Sequence, residues 1–320
     1  MKKIFLVLSI FVLTLTFACD QEKQEEQVYL FSYFIDNGQD GLHLAYSFDA
    51  LNWTALNNGS SFLTPTAGQD KLMRDPCIIQ GPDGKFHMVW TVSWGEKGIG
   101  LASSRDLIHW SEQTYIPVME HEPKALNCWA PEIFWDETTQ QYMIFWSTTI
   151  PGRFPETDGQ SSQGPPEPGK NHRIYYVTSK DLLEFSETKL LYDHGFNVID
   201  ATLLKDGDRY IMFIKDETNK PFKPQKNIRV AFGDHVTGPY SPPSDPITGD
   251  YWCEGPTAIK IDDTYYVYFD RYREDRFGAV RSDDLETWTD ITEQLHFPQD
   301  ARHGTIFRVS RDVLQKLKNL

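Results

Sequence analysis

From Tyr29 onward the chain alternates between short apolar runs of period two and polar turns, a pattern that predicts strands rather than helices. One unit recurs: an alternating strand, a polar turn, then an aromatic residue. It occurs as Gly41–Ser47 leading to Trp53, as Gly98–Ser104 with Asp106-Leu107 and Trp110, and as Arg173–Ser179 with Asp181-Leu182 and Phe185. A degenerate copy is Asn227–Phe232 followed by Gly238-Pro239-Tyr240, and a fifth is Phe277–Ser282 with Asp284-Leu285 and Trp288. A second unit precedes most copies, two apolar runs joined by a tight turn. Examples are Cys77–Gln80 to Phe86–Trp90 across Asp83-Gly84, and Thr202–Leu204 to Tyr210–Phe213 across Asp206-Gly207. Others are Ile133–Trp135 to Tyr142–Trp146, and Ala258–Lys260 to Tyr265–Phe269 across Asp262-Asp263. Asp-Gly between alternating runs is a hairpin signal. Together the units predict four strands per repeat, at a spacing of roughly 50–60 residues, and hence an all-β five-bladed β-propeller.

The chain begins with outer strands, Tyr29–Phe34 and Gly41–Ser47, and ends with a lone inner-strand candidate, Gly304–Val309. Pairing these predicts a composite fifth blade that closes the ring and removes its open edges. Arg311–Leu320 is expected to finish as a short helix, and the Gly-, Pro- and Ser-rich stretch Pro151–Lys170 as a long surface loop.

Residues 1–19 stand apart from this pattern. Lys2 and Lys3 precede the apolar run Ile4–Phe17, which has the length of a signal-peptide core and is too short to span a bilayer. Ala18-Cys19 is similar to the end of a bacterial lipobox, although Leu15 lies four residues before Cys19 rather than three. The expected organisation is a signal segment 1–19 with Cys19 lipidated, a polar tether 20–28 and a propeller 29–320. That implies an exported, envelope-anchored protein, a monomer, held to the membrane by its lipid alone. The remaining cysteines, Cys77, Cys128 and Cys253, are odd in number and lack zinc-site spacing, so buried free thiols are expected.

A formal net charge of −15 repels phosphate backbones and removes nucleic acid from the partners considered. Aromatic residues make up 14% of the chain, which suits stacking on neutral sugar rings. In a propeller the innermost strands begin around one mouth of the central channel. The sequences at those five places are Arg74-Asp75-Pro76, Trp129-Ala130-Pro131, Ile199-Asp200-Ala201, Cys253-Glu254-Gly255-Pro256 and Arg302-His303-Gly304. Three of the five carry a carboxylate at or next to one register, which turn chemistry alone does not explain.

Taken in order, these motifs resemble those of glycoside hydrolase family 43, from about Tyr29 to Val309. One departure is Ala201, where that family often has Pro. The resemblance implies a five-bladed propeller that hydrolyses glycosidic bonds with inversion. It implies Asp75 as general base, Asp200 as the residue that tunes and orients the acid, and Glu254 as general acid. An acid must hold its proton near neutrality, so a second carboxylate and an apolar wall of Trp252 and Cys253 are expected to raise the proton affinity of Glu254. Inversion calls for a carboxyl separation of about 6.5–9.5 Å.

Trp94, Trp129 and Trp252 are candidates for stacking on sugar, and Arg271 for binding hydroxyls; Arg276 is expected on the surface. By resemblance His303 sits on the channel axis as a substrate contact, with a structural calcium as a candidate neighbour and no other cofactor. Asp36 and Glu132 rank below the three named carboxylates. The expected substrate is an oligo- or polysaccharide, and the expected activity an exo-acting α-L-arabinofuranosidase. β-Xylosidase, endo-arabinanase and galactan- or galactofuranoside-active enzymes are alternatives. A retaining fructan hydrolase, with its nucleophile near Asp36-Asn37-Gly38, and a non-catalytic sugar-binding propeller are the two rival readings.

Overall fold

A computed structural model describes residues 28–157, 169–220 and 222–320. The signal segment, Cys19 and most of the polar tether lie outside the described residues, as does the middle of the Pro151–Lys170 loop. The first blade contributes β1 (Val28–Phe34), β2 (His43–Ser47) and β3 (Thr54–Ala55). The second runs β4 (Arg74–Gln80), β5 (Phe86–Thr91), β6 (Ile99–Ser104) and β7 (Thr114–Ile116). The third runs β8 (Trp129–Asp136), β9 (Gln141–Thr149), β10 (His172–Ser179) and β11 (Lys189–Tyr192). The fourth has β12 (Val198–Asp206), β13 (Arg209–Asp216) and β14 (Asn227–Gly233). The fifth has β15 (Glu254–Ile261), β16 (Thr264–Arg271), β17 (Arg276–Ser282) and β18 (Thr289–Asp290). The last strand, β19 (Arg302–Val309), pairs antiparallel with β1 and completes the first blade, before helix α1 (Arg311–Lys318).

The ring closes as expected. The fourth blade corrects the expectation of four strands throughout. Its outer edge is reduced to a single bridge, Gly233 to Tyr240. Pro239, Pro242 and Pro243 flank Tyr240 there, and proline has no N–H for a ladder.

The repeated Asp-Leu element is a turn with its own wiring. In the second blade Ser104 Oγ accepts from Leu107 N at 2.8 Å, and Asp106 Oδ1 accepts from the amides of Ile108 and His109. The same bonds recur around Ser179/Asp181 and Ser282/Asp284. The leucines take left-handed φ values of 61–64° and are buried, so the turn tucks an apolar side chain under each blade edge.

The propeller has no single core. Five apolar clusters each lie between two neighbouring blades. Cys77, Val89, Ile133 and Ile144 join the second to the third; Phe213, Val230, Val267 and Val280 join the fourth to the fifth. Tyr29, Phe31, Tyr268 and Phe277 join the fifth to the first, so the circle is sealed by packing as well as by β19. The three described cysteines are buried free thiols.

Gly304 marks the tightest point of the closure. A Cβ there would lie 1.7 Å from the carbonyl oxygen of Ser32 in the paired strand. Gly304→Ala is therefore expected to lower stability by about 2–3 kcal/mol through forced strand separation, measured as the shift of the urea unfolding midpoint at constant slope.

Candidate active site

Four innermost strands share a local irregularity at their first residues. The register shifts between Arg74 and Cys77, Trp129 and Glu132, Ile199 and Thr202, and Glu254 and Thr257. Within each shift one residue is left-handed: Asp75 at φ 52°, Ala130 at 45°, Asp200 at 50° and Gly255 at 59°. These are β-bulges, which bend a strand and re-aim a side chain. Aspartate is among the few residues other than glycine that enter this region readily. The bulges place Asp75 and Asp200 at matching positions around one mouth, with Glu254 one residue before its own bulge glycine.

The mouth opens into a cavity of about 180 Å³. Asp75, Asp200 and Glu254 line it together with Trp94, Trp129 and His303, so these predicted site residues are brought together. Trp94 and Trp129 meet edge to face with centroids 5.4 Å apart. The Lys170 ammonium lies 3.8 Å from the Trp129 ring centre and the Arg74 guanidinium 4.2 Å from that of Trp94. Asn37 Oδ1 accepts from both Arg74 and Trp94 Nε1.

Asp75 is held on both oxygens. Thr91 Oγ1 donates to Oδ2 at 2.8 Å, and His303 Nδ1 lies 3.3 Å from Oδ1. Thr91 in turn accepts from the bulge amide of Ala130 at 2.8 Å, which ties the second blade to the third. Burial pushes the Asp75 carboxyl up, but the His303 hydrogen bond and charge, the Arg74 charge and Thr91 together hold it below its ordinary value. Burial acts against the His303 imidazolium, yet Asp75, Asp200 and Glu132 outweigh it and raise the ring to about 9. Asp75 and His303 thus form a buried ion pair at neutral pH. Gly255 packs flat on the His303 ring, where a Cβ would fall 2.3 Å from Cγ.

Asp200 accepts from Gly255 N at 3.0 Å, and its own amide donates to Ser147 Oγ. Burial raises its carboxyl to about 6, helped by the charges of Glu254 and Asp75 and opposed by His303 and Lys215. Glu254 departs from expectation. Lys215 Nζ donates to its Oε2 at 2.9 Å, and Arg302 stands 3.9 Å from Oε1. Burial pushes the carboxyl up, but Lys215 above all, with His303 and Arg302, holds it below the usual glutamate value. The raised proton affinity expected for Glu254 belongs instead to its neighbour Asp200.

The expected apolar wall is also absent from the cavity. Trp252 precedes the strand and is not a lining residue; its ring carries the Arg273 guanidinium at 3.4 Å. The Cys253 thiol turns away, towards Thr248 and the Lys226 carbonyl. Arg271 is corrected in the same way. Strand alternation aims Asp270 at Arg302, 2.7 Å away, and sends Arg271 to Glu274 at 2.6 Å and over the Tyr251 ring. Arg276 pairs with Glu293, as a surface side chain does. Asp36 lies in the turn after β1 and does not line the cavity. Glu132 is buried further along β8. Burial raises it to about 8, and its Oε1 lacks a hydrogen-bond partner.

Lys215 and Glu217 are cavity residues that the sequence reasoning passed over. The available signal was a charged pair, Lys215-Asp216, ending an otherwise apolar strand. Among the described residues no three His, Cys, Asp or Glu side chains converge as metal ligands. No calcium enters the chemistry below.

A family model described as a probable glycosyl hydrolase domain, of the family 43-related type, matches residues 24–314. The chain belongs to that glycosyl hydrolase family. A curated relative, an alpha-L-arabinofuranosidase of Bifidobacterium longum subsp. longum, is 25% identical over 300 residues, covering 78% of this chain. The match covers 27% of that relative, so the chain spans about a quarter of its length. Among solved structures, an alpha-L-arabinofuranosidase from Lactobacillus brevis superposes with a TM-score of 0.54 at 15% identity, over 68% of this chain and 72% of its own. A xylan beta-1,4-xylosidase from Bacillus halodurans C-125 gives 0.53 at 19% identity, over 73% and 46%. At these identities the likeness establishes the shared five-bladed fold.

Thr91→Val removes a donor to Asp75 and the acceptor of the Ala130 amide with almost no change in volume. It is expected to cost about 1–3 kcal/mol of stability through the unsatisfied buried groups, checked by urea unfolding of both proteins at pH 7.

Proposed function

We propose that this chain hydrolyses terminal glycosidic bonds by a single inverting displacement, with Asp75 as general base and Glu254 as general acid. The observation that carries this reading is the convergence of Asp75, Asp200 and Glu254, from three blades, on one small cavity. In the proposed reaction Asp75 takes a proton from a water whose oxygen attacks the anomeric carbon. The carbon–oxygen bond on the opposite face breaks, and the departing oxygen receives a proton from the Glu254–Asp200 pair. Asp75, held ionised by His303, suits the base. Asp200 and Glu254 act as one titrating unit, whose proton rests with Asp200 in the free protein and is delivered through Glu254 to the leaving oxygen.

A cavity of about 180 Å³ supports exo action, since it is smaller than the pockets of about 300 Å³ and above that enclose drug-sized ligands. It suits one sugar ring. The returning stem of the long loop, at Lys170, adds to one side of the rim beside Trp129. The named relative in Bifidobacterium longum favours α-L-arabinofuranoside as the glycon, with β-xyloside next. An exported, lipid-anchored, monomeric enzyme acting on oligo- or polysaccharide is the cellular setting that the leader residues support, with Cys19 as the anchor. A retaining mechanism with a nucleophile at Asp36 has less support, because that side chain lies off the cavity.

Asp75→Asn and Glu254→Gln are each expected to lower kcat on 4-nitrophenyl α-L-arabinofuranoside by about 10²–10⁴-fold. Proton NMR of the fresh product should show the inverted anomer first. Wild-type binding without turnover of any aryl glycoside would point to the sugar-binding reading instead.

For the wild type, kcat/KM should stay level across mildly acidic pH and fall as pH rises through about 6, where the raised Asp200 carboxyl gives up the unit's proton. Asp75, held low, predicts no loss on the acid side until pH falls below its usual range. A profile with both limbs above neutrality contradicts the assignment.

Cys19→Ser is expected to move the full-length protein from the membrane fraction to the soluble fraction of expressing cells, followed by immunoblotting.

A further inference from the structure

Lys215 is a cavity residue to which the hydrolytic scheme assigns no step. It sits near the end of β13, on the face toward the channel, and its side chain is 1% exposed. An ammonium so deeply buried is costly unless it is paired and hydrogen-bonded. Here it is paired on two sides, in an ion pair with Glu217 Oε2 at 2.6 Å and a hydrogen bond to Glu254 Oε2 at 2.9 Å. Glu217 is itself pinned, because its other oxygen meets the Lys226 ammonium and its amide donates to Asn197 O at 2.8 Å. The chain Lys226–Glu217–Lys215–Glu254 therefore runs from the loop after β13 to the mouth of β15.

We propose that Lys215 is a positioning residue of this site: clamped by Glu217, its ammonium holds the Glu254 carboxyl in the cavity. The inference deepens the reading of Glu254 as general acid and rests on it.

Every charged neighbour of Glu254 bears on the balance. From β13 and the following loop come Lys215, Glu217 and Lys226. From β12 comes Asp200, from β16 and its turn Asp270 and Tyr272, and from β19 Arg302 and His303. Lys215 is the largest of the charges acting on Glu254, and it carries the shortest hydrogen bond to it. Its own proton is secure, since Glu217 and Glu254 outweigh burial and raise it well above the ordinary lysine value. The device is thus a fixed positive charge, with Glu217 deciding how much of it Glu254 feels.

That arrangement makes two substitutions act in opposite directions. Lys215→Met removes the charge, so Glu254 should take up its proton at higher pH. Glu217→Gln removes a competing acceptor and a neighbouring negative charge, so Lys215 bears on Glu254 alone and the proton should leave at lower pH. A merely structural lysine predicts no such opposition.

The test is the pH dependence of kcat/KM on 4-nitrophenyl α-L-arabinofuranoside. It is paired with carbon-13 NMR titration of glutamate-labelled full-length protein, in which the Glu254 signal is assigned by its loss in Glu254→Gln. The titration is independent of turnover and stands if that glycoside is not a substrate. Thermal melts check that the variants are folded. Expected are a rise of at least one pH unit for both the alkaline limb and the Glu254 titration in Lys215→Met, about tenfold in proton affinity, and a fall in Glu217→Gln. An unmoved Glu254 titration in folded Lys215→Met, or shifts of the same sign in both variants, overturns the proposal. If Lys215→Met does not fold, the direction of the Glu217→Gln shift decides. The acid assignment is judged separately. An alkaline limb that persists in Glu254→Gln removes Glu254 as the acid, whereas a limb lost there but unmoved in Lys215→Met removes only the role of Lys215.

Discussion

The placing of the carboxylates at the channel mouth depends on a left-handed residue at the start of four of the five innermost strands. A regular strand would send successive side chains to opposite faces and leave the carboxylates divided between the channel and the blade interior. The bulge adds a residue, bends the strand and lets Asp75 and Asp200 face the same space from blades that are not adjacent. The conformation is paid for by residue choice: aspartate twice, alanine once and glycine once. The proposed roles and backbone strain thus coincide at the same two aspartates, a pairing common at functional sites.

Electrostatics then divides similar side chains into unlike roles. Asp75 and Asp200 share a backbone conformation and deep burial, yet one is held low and the other raised to about 6. The difference lies in what faces them. His303 answers the first directly, while the second receives a backbone amide and sits between two other carboxylates. Glu254 has a lysine where an apolar wall was expected, and this contact, with His303 and Arg302, reverses the direction of its proton affinity. Burial alone therefore says little about which carboxylate keeps a proton; the sign is set by a few atoms within about 4 Å.

Much of this was legible from residue order. The Asp-Leu turns and Asp-Gly hairpins repeat often enough to count blades, because each answers a local demand: capped amides in one, a tight reversal in the other. The carboxylates at the channel mouth were legible because acidic residues entering apolar strands need a reason. Lys215 and Glu217 were not, since a charge at the end of a second strand is equally compatible with solvent. Arg271 failed for a geometric reason, lying one position out of phase with Asp270, which faces Arg302; Trp252 failed because it precedes β15 and its ring takes up Arg273 instead. A sequence pattern defines the alternation but not where a bulge resets it. The missing fourth strand of one blade was foreshadowed by its prolines.

The pairing of β19 with β1 joins segments more than 270 positions apart, as the contact between Ser32 and Thr305 illustrates. The last strand also delivers His303 to Asp75 and Arg302 to Glu254. During synthesis the first three strands leave the ribosome long before their innermost partner exists. Throughout that interval the ring is open, its first blade lacks an inner edge, and Asp75 has no imidazolium beside it. Closure of the ring and the last contacts of the cavity therefore arrive together, with β19.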